Sequence, residues 1–139
     1  MSCQQRGWTV KKLWCAAHAV YVFELLSGRQ RTFTVVENIL LIRAGSSKAA
    51  LAAATRMARR EQSNDPTLTV DGKAARQRFF GIRKVVSCAA DPFDRTSTDG
   101  LVKTIRSGVE ATYLNYRVEG RRALKQLMSG LEVKAVLEE

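Results

Sequence analysis

The segment from Thr32 to Ala44, T-F-T-V-V-E-N-I-L-L-I-R-A, is the feature that most restricts the fold of this chain. Side chains alternate between the two faces of a β-strand, so each face can be examined separately. Over the apolar run I-L-L-I, from Ile39 to Ile42, both faces are apolar. The segment therefore predicts a central strand that is covered on both sides.

Two polar neighbours, Glu37 and Asn38, stand beside this apolar run. Because the pleat directs neighbours to opposite faces, they cannot form a side-by-side catalytic pair. A carboxylate among apolar neighbours must lie near the end of the sheet or pair with a cation, here Arg78, Arg83 or Lys84 on the next strand. Asn38 is expected to satisfy backbone groups at an edge or bulge. The functional alternative is a small cleft at Glu37 and Asn38, between the first two strands.

The other elements follow from hydrophobic periodicity and from capping and turn residues. A two-residue turn at Asp71-Gly72 indicates a hairpin, and Leu131 to Glu139 fits a strand or a helix equally well. The remaining predictions are an extended segment from Trp8 to about Phe23, a helix from about Lys48 to Gln62 with Ser46 or Ser47 as N-cap, a strand from Gln77 to Cys88 with Phe80, Ile82, Val86 and Cys88 on one face, a strand from Val109 to Val118, and a short helix from about Arg121 to Ser129.

This order of elements predicts the α+β class, because strands and helices do not alternate strictly. We expect one domain over residues 1–139, with a mainly antiparallel sheet of four to five strands. Both helices are expected on one face of that sheet. Residues 1–7 are predicted to be a disordered terminus, residues 89–100 a mobile loop, and residues 119–139 a carboxy-terminal extension.

Net charge is the strongest signal in the composition. Lysine and arginine number 23 against 13 aspartates and glutamates, which gives +10. Such a charge favours an acidic protein partner or nucleic acid, and leaves a homodimer open as a further alternative. We find no apolar run long enough to span a membrane and no signal-peptide core, so a cytoplasmic location is expected. The odd number of cysteines, 3, is typical of reduced thiols rather than disulfides.

Three groups of cations are candidates for binding a protein partner or nucleic acid. In the second group the cations alternate with aromatic residues, R-Q-R-F-F-G-I-R-K, as in strands that stack bases. The competing interpretation is that Phe79 and Phe80 belong to the core. The groups are Arg56, Arg59 and Arg60 on the long helix; Arg76, Arg78, Arg83 and Lys84 on the strand; and Arg121 with Arg122 at the start of the short helix.

Catalytic chemistry has little support in the sequence. Carboxylates are sparse, the spacing of cysteines is not that of a zinc site, and His18 is the only histidine. We therefore predict no catalytic residues, no metal and no cofactor.

Four segments carry a recognisable pattern: W-T-V-K-K-L-W, E-N-I-L-L-I-R-A-G-S-S-K-A-A-L-A-A-A, G-K-A-A-R-Q-R-F-F-G-I-R-K-V-V and the Y-x-x-Y segment at Tyr113 to Tyr116. Together they resemble a family of small bacterial proteins known as domain of unknown function 4288. The resemblance covers about Trp8 to Val118. It implies an α+β fold and supplies no catalytic residues, because the family has no assigned activity. The chain departs from the family in its basicity and in the extension after Val118.

Three functions remain open on these grounds. The first is a non-enzymatic protein-binding module of the immunity or antitoxin type, which occludes an acidic partner. The second is a nucleic-acid binder that uses the basic helix face and the basic-aromatic strand. The third is an enzyme with an unrecognised site near Glu37 and His18. We rank them in that order.

Overall fold

The computed structural model describes residues 13–88, 107–130 and 133–138. The predicted disordered terminus at 1–7 and the predicted loop at 89–100 lie outside these residues. In the described part no helix combines the length and the hydropathy that a membrane crossing requires.

A single antiparallel sheet and two helices make up the described structure, which confirms the α+β prediction. The strand order is β3-β4-β1-β2-β5-β6, so β2 is central, between β1 and β5. The strand count of six exceeds the expected four to five because β3 is only two residues long and β6 lies in the segment that fitted either element. The elements are β1 (Leu13–Leu25), β2 (Thr32–Ala44), α1 (Ser47–Arg60), β3 (Thr69–Val70), β4 (Lys73–Ser87), β5 (Val109–Glu119), α2 (Arg121–Met128) and β6 (Ala135–Glu138).

Local signals place the turns and the start of α1. The Ser46 hydroxyl accepts a hydrogen bond from the Ala49 amide at 3.1 Å, as expected of an N-cap. Asp71 and Gly72 join β3 to β4 with φ values of 52° and 77°. Positive φ at both positions is what a tight hairpin turn of this kind requires, and glycine adopts it without a steric penalty.

Two hydrophobic cores lie on opposite faces of the sheet. On one face Ala17 and Ala19 of β1 pack against Ala50, Ala54 and Ala58 of α1. Small side chains on both elements allow the helix to approach the sheet closely.

On the other face Val20 and Val22 of β1 pack with Leu124 and Leu127 of α2. The expectation that both helices share one face is therefore wrong. The physical reason is that the central strands are apolar on both sides, so each face requires its own cover.

Strand β4 does not keep a regular pleat. Its pairing with β1 shifts between His18, which faces Lys84, and Ala19, which faces Ile82. Arg83 is therefore an extra residue at a β-bulge, a device that bends a strand and redirects a side chain.

A second shift makes Phe80 an extra residue, next to Gly81 with φ of 143°. As a result Phe80 packs in the core under α2, whereas Ile82 packs in the core under α1. The prediction that Phe80 and Ile82 share one face is thus wrong, because each extra residue reverses the alternation that follows it.

Candidate functional site

The most concentrated polar structure in the described residues surrounds Glu37. This residue lies near the middle of β2, on the face covered by α2, and is 1% exposed. It does not lie at the end of the sheet, so the ion-pair alternative applies. We call His18, Glu37, Arg83 and Tyr116 the Glu37 cluster.

Each oxygen of the Glu37 carboxylate accepts two hydrogen bonds. Oε1 accepts from Arg83 Nε at 3.1 Å and from the Tyr116 hydroxyl at 2.7 Å. Oε2 accepts from Arg83 Nη2 at 2.7 Å and is 2.6 Å from His18 Nδ1. The hydrogen-bonding capacity of the carboxylate is therefore filled, and Glu37 positions its three partners rather than facing a ligand itself.

Charge and burial act against each other at this carboxylate. Burial raises the pKa of Glu37, but hydrogen bonds from Arg83, Tyr116 and His18, together with the Arg83 charge, leave that pKa below its ordinary value. Hydrogen bonding to Glu37 raises the pKa of Arg83. Burial, followed by the bond to Glu37, raises the pKa of Tyr116. The cluster therefore holds an ionised carboxylate, a charged guanidinium and a neutral phenol near neutral pH.

Arg83 reaches Glu37 from two strands away. Val20 of β1 is the register partner of both Glu37 and Gly81, so β1 lies between the strands that carry the ion pair. The sequence placed this arginine on the adjacent strand, but the bulge directs its side chain across β1. Of the other two candidate cations, Arg78 contacts Glu24 instead.

Asn38 lies on the opposite face, as the pleat predicts. It lines a cavity of about 450 Å³ beside the end of α1, together with Tyr21, Arg60 and Glu61. The Tyr21 hydroxyl donates to the Ala58 carbonyl of α1 at 2.7 Å. Burial, followed by the charges of Glu61 and Glu110, raises the pKa of Tyr21 to about 12. Glu37 and Asn38 therefore do not share a site.

A second polar group lies at the other end of β1, beside the start of α2. Three arginines approach the carboxylate of Glu24, which is 8% exposed: Arg76 and Arg78 at 3.5 Å and Arg121 at 4.0 Å. The exposed fractions of these arginine side chains are 60%, 52% and 65% respectively. We call the four residues the Glu24 arginine cluster.

Two aromatic rings support these guanidinium groups. Arg78 lies over the ring of Phe80 at 5.8 Å, and Arg121 lies over the ring of Phe33 at 5.2 Å. Cation–π contacts of this kind hold an exposed arginine against the sheet. The cluster thus has a more defined geometry than isolated surface arginines.

The other cations that the sequence suggested as binding residues, apart from Arg83 of the Glu37 cluster, do not belong to the Glu24 arginine cluster. Arg56, Arg59 and Arg60 are exposed on α1, which covers the opposite face of the sheet. Arg122 is exposed beside Arg121, and Lys84 is exposed on β4. The sequence indicated the arginines of the Glu24 cluster but not the carboxylate that gathers them. Glu24 is the register partner of Arg76, and that pairing is not visible before the strands are aligned.

Phe79 and Phe80 are both partly buried and pack against the cores. Phe79 packs in the core under α1, where its ring is 5.6 Å from that of Tyr21. Phe80 packs in the core under α2. The interpretation of these phenylalanines as core residues holds in part, because each packs against a core but neither is fully buried.

Comparison with known proteins identifies a family. The family model described as Domain of unknown function (DUF4288) matches residues 14–98. This match confirms the resemblance over most of its expected span. Neither the curated proteins nor the solved structures contain a significant match to the chain.

Proposed function

This chain belongs to the DUF4288 family, and we propose that it is a non-enzymatic module that occludes an acidic partner protein, as immunity and antitoxin proteins do. The family description carries no activity, so the proposal depends on this chain's own residues. The observation that carries it is the Glu24 arginine cluster.

Charge within this cluster is far from balanced. Arg76, Arg78 and Arg121 share one carboxylate, so two of the three positive charges have no counter-charge from Glu24. All three side chains are more than half exposed, and their heads can meet carboxylates of a second protein. Arginine suits this role because its planar fork pairs with a carboxylate through two parallel hydrogen bonds.

A sheet strand and a helix carry these arginines, which limits the conformational freedom lost on binding. Arg76 and Arg78 belong to β4, and Arg121 begins α2. A preorganised basic surface accelerates encounter with an acidic partner and selects against basic ones. An acidic protein surface is therefore the partner that we favour.

Nucleic acid is the competing partner because the net charge of +10 also attracts polyanions. A strand that stacks bases presents aromatic rings to its ligand. Phe79 and Phe80, the two aromatic residues of that motif, are partly buried and pack against the two cores instead. This arrangement favours the protein partner.

The proposal includes a cytoplasmic location. Cys15 is a buried thiol outside any disulfide. Reduced, buried cysteines are typical of proteins in reducing compartments.

The test compares two triple variants with equal loss of charge. The first is Arg76→Gln, Arg78→Gln and Arg121→Gln; the matched control is Arg56→Gln, Arg59→Gln and Arg60→Gln on the opposite face. Each lowers the formal net charge of +10 by three. Both are used with the wild type as bait in cell lysate, with and without nuclease, over a series of salt concentrations, after circular dichroism has shown that each is folded.

We expect one acidic protein to survive nuclease treatment on the wild type and on the control. The variant of the Glu24 arginine cluster should lose it. Recovery of nucleic acid alone, with retention that falls steeply as salt rises, would support the competing partner. Equal capture by both triple variants would show that the Glu24 arginine cluster is not the binding surface.

A further inference from the structure

Strand β4 has a hydrogen-bonding edge that the proposed function does not use. Its inner edge pairs with β1 along most of its length, from Ala75 to Ser87. Its outer edge pairs with β3 at Lys73 and Ala74. Among the residues that the structure describes, no strand pairs with the rest of that outer edge. Unpaired N–H and C=O groups along a strand edge are a template to which a further strand can bind.

The pairing with β1 shows which backbone groups of β4 face outwards. In an antiparallel pair, successive residues direct their backbone groups alternately toward the partner strand and away from it. The Cys88 amide donates to the Trp14 carbonyl of β1 at 2.9 Å, so Cys88 faces β1. The register is regular from Lys84 to Ser87. The N–H and C=O groups of Val85 and Ser87 therefore face away from β1.

A different group covers the earlier part of the same edge. The Phe79 amide also faces outwards, and it donates to the side-chain oxygen of Gln62, just after α1, at 2.7 Å. Within the described parts of the chain, no side chain accepts a hydrogen bond from the amide of Val85 or Ser87. The open part of the edge is therefore its second half, from Ile82 to Ser87. We call this stretch the open edge of β4.

A cavity of about 330 Å³ lies between the open edge of β4 and the first two turns of α1. Apolar side chains line it, namely Leu51 of α1 with Ile82 and Val85 of β4. Leu51 is 44% exposed. Because alternate side chains of a strand share one face, a strand added to this edge would direct every second side chain toward α1 and the cavity.

Two lysines border this cavity, one on each element. Lys48 of α1 and Lys84 of β4 both line it, and both are exposed. In the described residues neither lysine lies within ion-pair distance of an acid. Arg83 also lines the cavity, but its guanidinium is bound to Glu37. A segment that fits this surface therefore combines apolar side chains with carboxylates.

The same charges argue against a second copy of this chain as the occupant. Two β4 edges placed side by side would bring lysines and arginines of both copies together, and like charges on neighbouring strands are destabilising. Lysine and a β-bulge are also devices that protect an edge from aggregation. Protection alone does not require an apolar cavity beside the edge, whereas binding of an acidic strand uses both features.

We propose that the open edge of β4 binds an extended acidic segment of a partner protein as an additional strand. Main-chain hydrogen bonds supply the affinity of such a complex, and alternate side chains supply its specificity. The apolar side chains of the segment enter the cavity, and its carboxylates meet Lys48 and Lys84. This inference rests on the proposed function, because it gives the acidic partner a second contact beside the Glu24 arginine cluster.

The test uses synthetic peptides as probes. Three acetylated and amidated peptides of about six residues, the usual length of a strand, alternate glutamate with valine, leucine or phenylalanine. Matched peptides carry lysine in place of glutamate. Each acidic peptide is also made with N-methyl groups on every apolar residue, or on every glutamate, because only one of these two sets directs its N–H groups to β4. Nuclear magnetic resonance of the protein's backbone amides reports binding at constant ionic strength.

We expect at least one acidic peptide to shift the amide signals of the open edge saturably and to slow hydrogen exchange at Val85 and Ser87. One of its two N-methylated forms should lose binding, and the other should keep it. The lysine peptides should not bind.

Charge reversal in the protein gives an independent readout. Lys48→Glu with Lys84→Glu should weaken binding about tenfold, because each exposed ion pair becomes a repulsion of similar size. The matched control is Arg56→Glu with Arg59→Glu, the same change at exposed positions of α1 away from the cavity, which should weaken binding much less. Circular dichroism first shows that both double variants are folded.

Several outcomes would overturn the proposal. No saturable shift with any acidic peptide, or shifts centred elsewhere, would mean that the open edge of β4 is not the site. Equal binding of both N-methylated forms would exclude strand pairing, and equal weakening by the two double variants would reduce the effect to overall charge. Concentration-dependent shifts of Val85 and Ser87 without peptide would show that a second copy occupies the edge.

These results are separable from the test of the proposed function. Capture of an acidic protein in lysate depends on the Glu24 arginine cluster, whereas peptide binding is measured at the open edge of β4. Capture that succeeds while every peptide fails would overturn strand addition alone. Peptide binding without dependence of capture on the Glu24 arginine cluster would overturn the proposed binding surface and leave strand addition in place.

Discussion

Replacing Glu37 with glutamine tests the energetic role of the Glu37 cluster with almost no change in side-chain shape. Glutamine offers a neutral oxygen and an N–H₂ donor in place of two charged oxygens. Both carboxylate oxygens of Glu37 accept from Arg83, so the new amide nitrogen meets an arginine donor in either orientation. His18 can exchange its proton between nitrogens, but Arg83 cannot become an acceptor.

The expected loss follows from burial. Removing one partner of a buried ion pair destabilises a protein by roughly 3–5 kcal/mol. Arg83 remains 22% exposed, so water recovers part of its solvation and the lower end, about 3 kcal/mol, is the better estimate. In a chain of this length the corresponding fall in Tm is about 10 °C.

Urea denaturation near neutral pH gives the free energy of unfolding directly. The matched control is Glu61→Gln, the same chemical change at an exposed position, for which a change within about 0.5 kcal/mol is expected. If Glu37→Gln is no more destabilising than this control, the cluster is not a coupled ion network and the reasoning fails.

Acid provides a second check on the same substitution. The pKa of Glu37 is lowered in the folded protein, so its stabilisation is present above the pKa of an unfolded-chain glutamate. It is lost as the pH falls through the folded-state pKa. The stability difference between wild type and Glu37→Gln should therefore shrink in acid; a difference that grows there would have the wrong sign.

Three further substitutions test the packing that holds the site, each by urea denaturation. Tyr21→Phe removes a buried hydrogen bond of 2.7 Å to an α1 carbonyl and should cost about 1 kcal/mol; no loss would mean that this bond does not help hold α1. Leu124→Ala, at 1% exposure, should cost about 2–5 kcal/mol by opening a cavity under α2, and a smaller loss would mean that α2 is loosely docked. Gly81→Ala places a new Cβ 3.0 Å from Met128 Cε at a residue with φ of 143°, whereas at Gly120, with φ of 88°, no atom lies within 4 Å. Gly81→Ala should therefore lower the free energy of unfolding more than Gly120→Ala does. Equal losses of stability would assign the effect to backbone strain alone.

Much of the local structure could be predicted from the sequence, because its causes act over a few residues. The alternation in Thr32 to Ala44 predicted β2 and placed Glu37 and Asn38 on opposite faces. Capping by Ser46 or Ser47 predicted the start of α1, and α1 ends within two residues of its predicted end. Hydrophobic periodicity, helix capping and turn residues act locally, so they can be recognised without knowing which distant residues come into contact.

The candidate sites were predictable only in part. A carboxylate among apolar neighbours implied either the end of the sheet or a paired cation, and the three candidate cations included the correct one, Arg83. The choice among them depended on a bulge in β4, which appears only when β4 is paired with β1. The Tyr116 hydroxyl donates to Glu37 although the two residues are 79 positions apart in the chain. No local sequence pattern predicts a contact over that separation.

Sequence alone determined the fold class, the positions of the main elements, the excess positive charge and the alternatives for Glu37, a position at the end of the sheet or a pairing with a cation. Tertiary structure decided that the helices cover opposite faces, that Arg83 rather than Arg78 reaches Glu37, and that Glu24 gathers three arginines. The physical reason is that strand register, once set by both cores together, selects contacts between residues far apart in the chain. Such contacts contribute to stability only after the whole sheet has assembled.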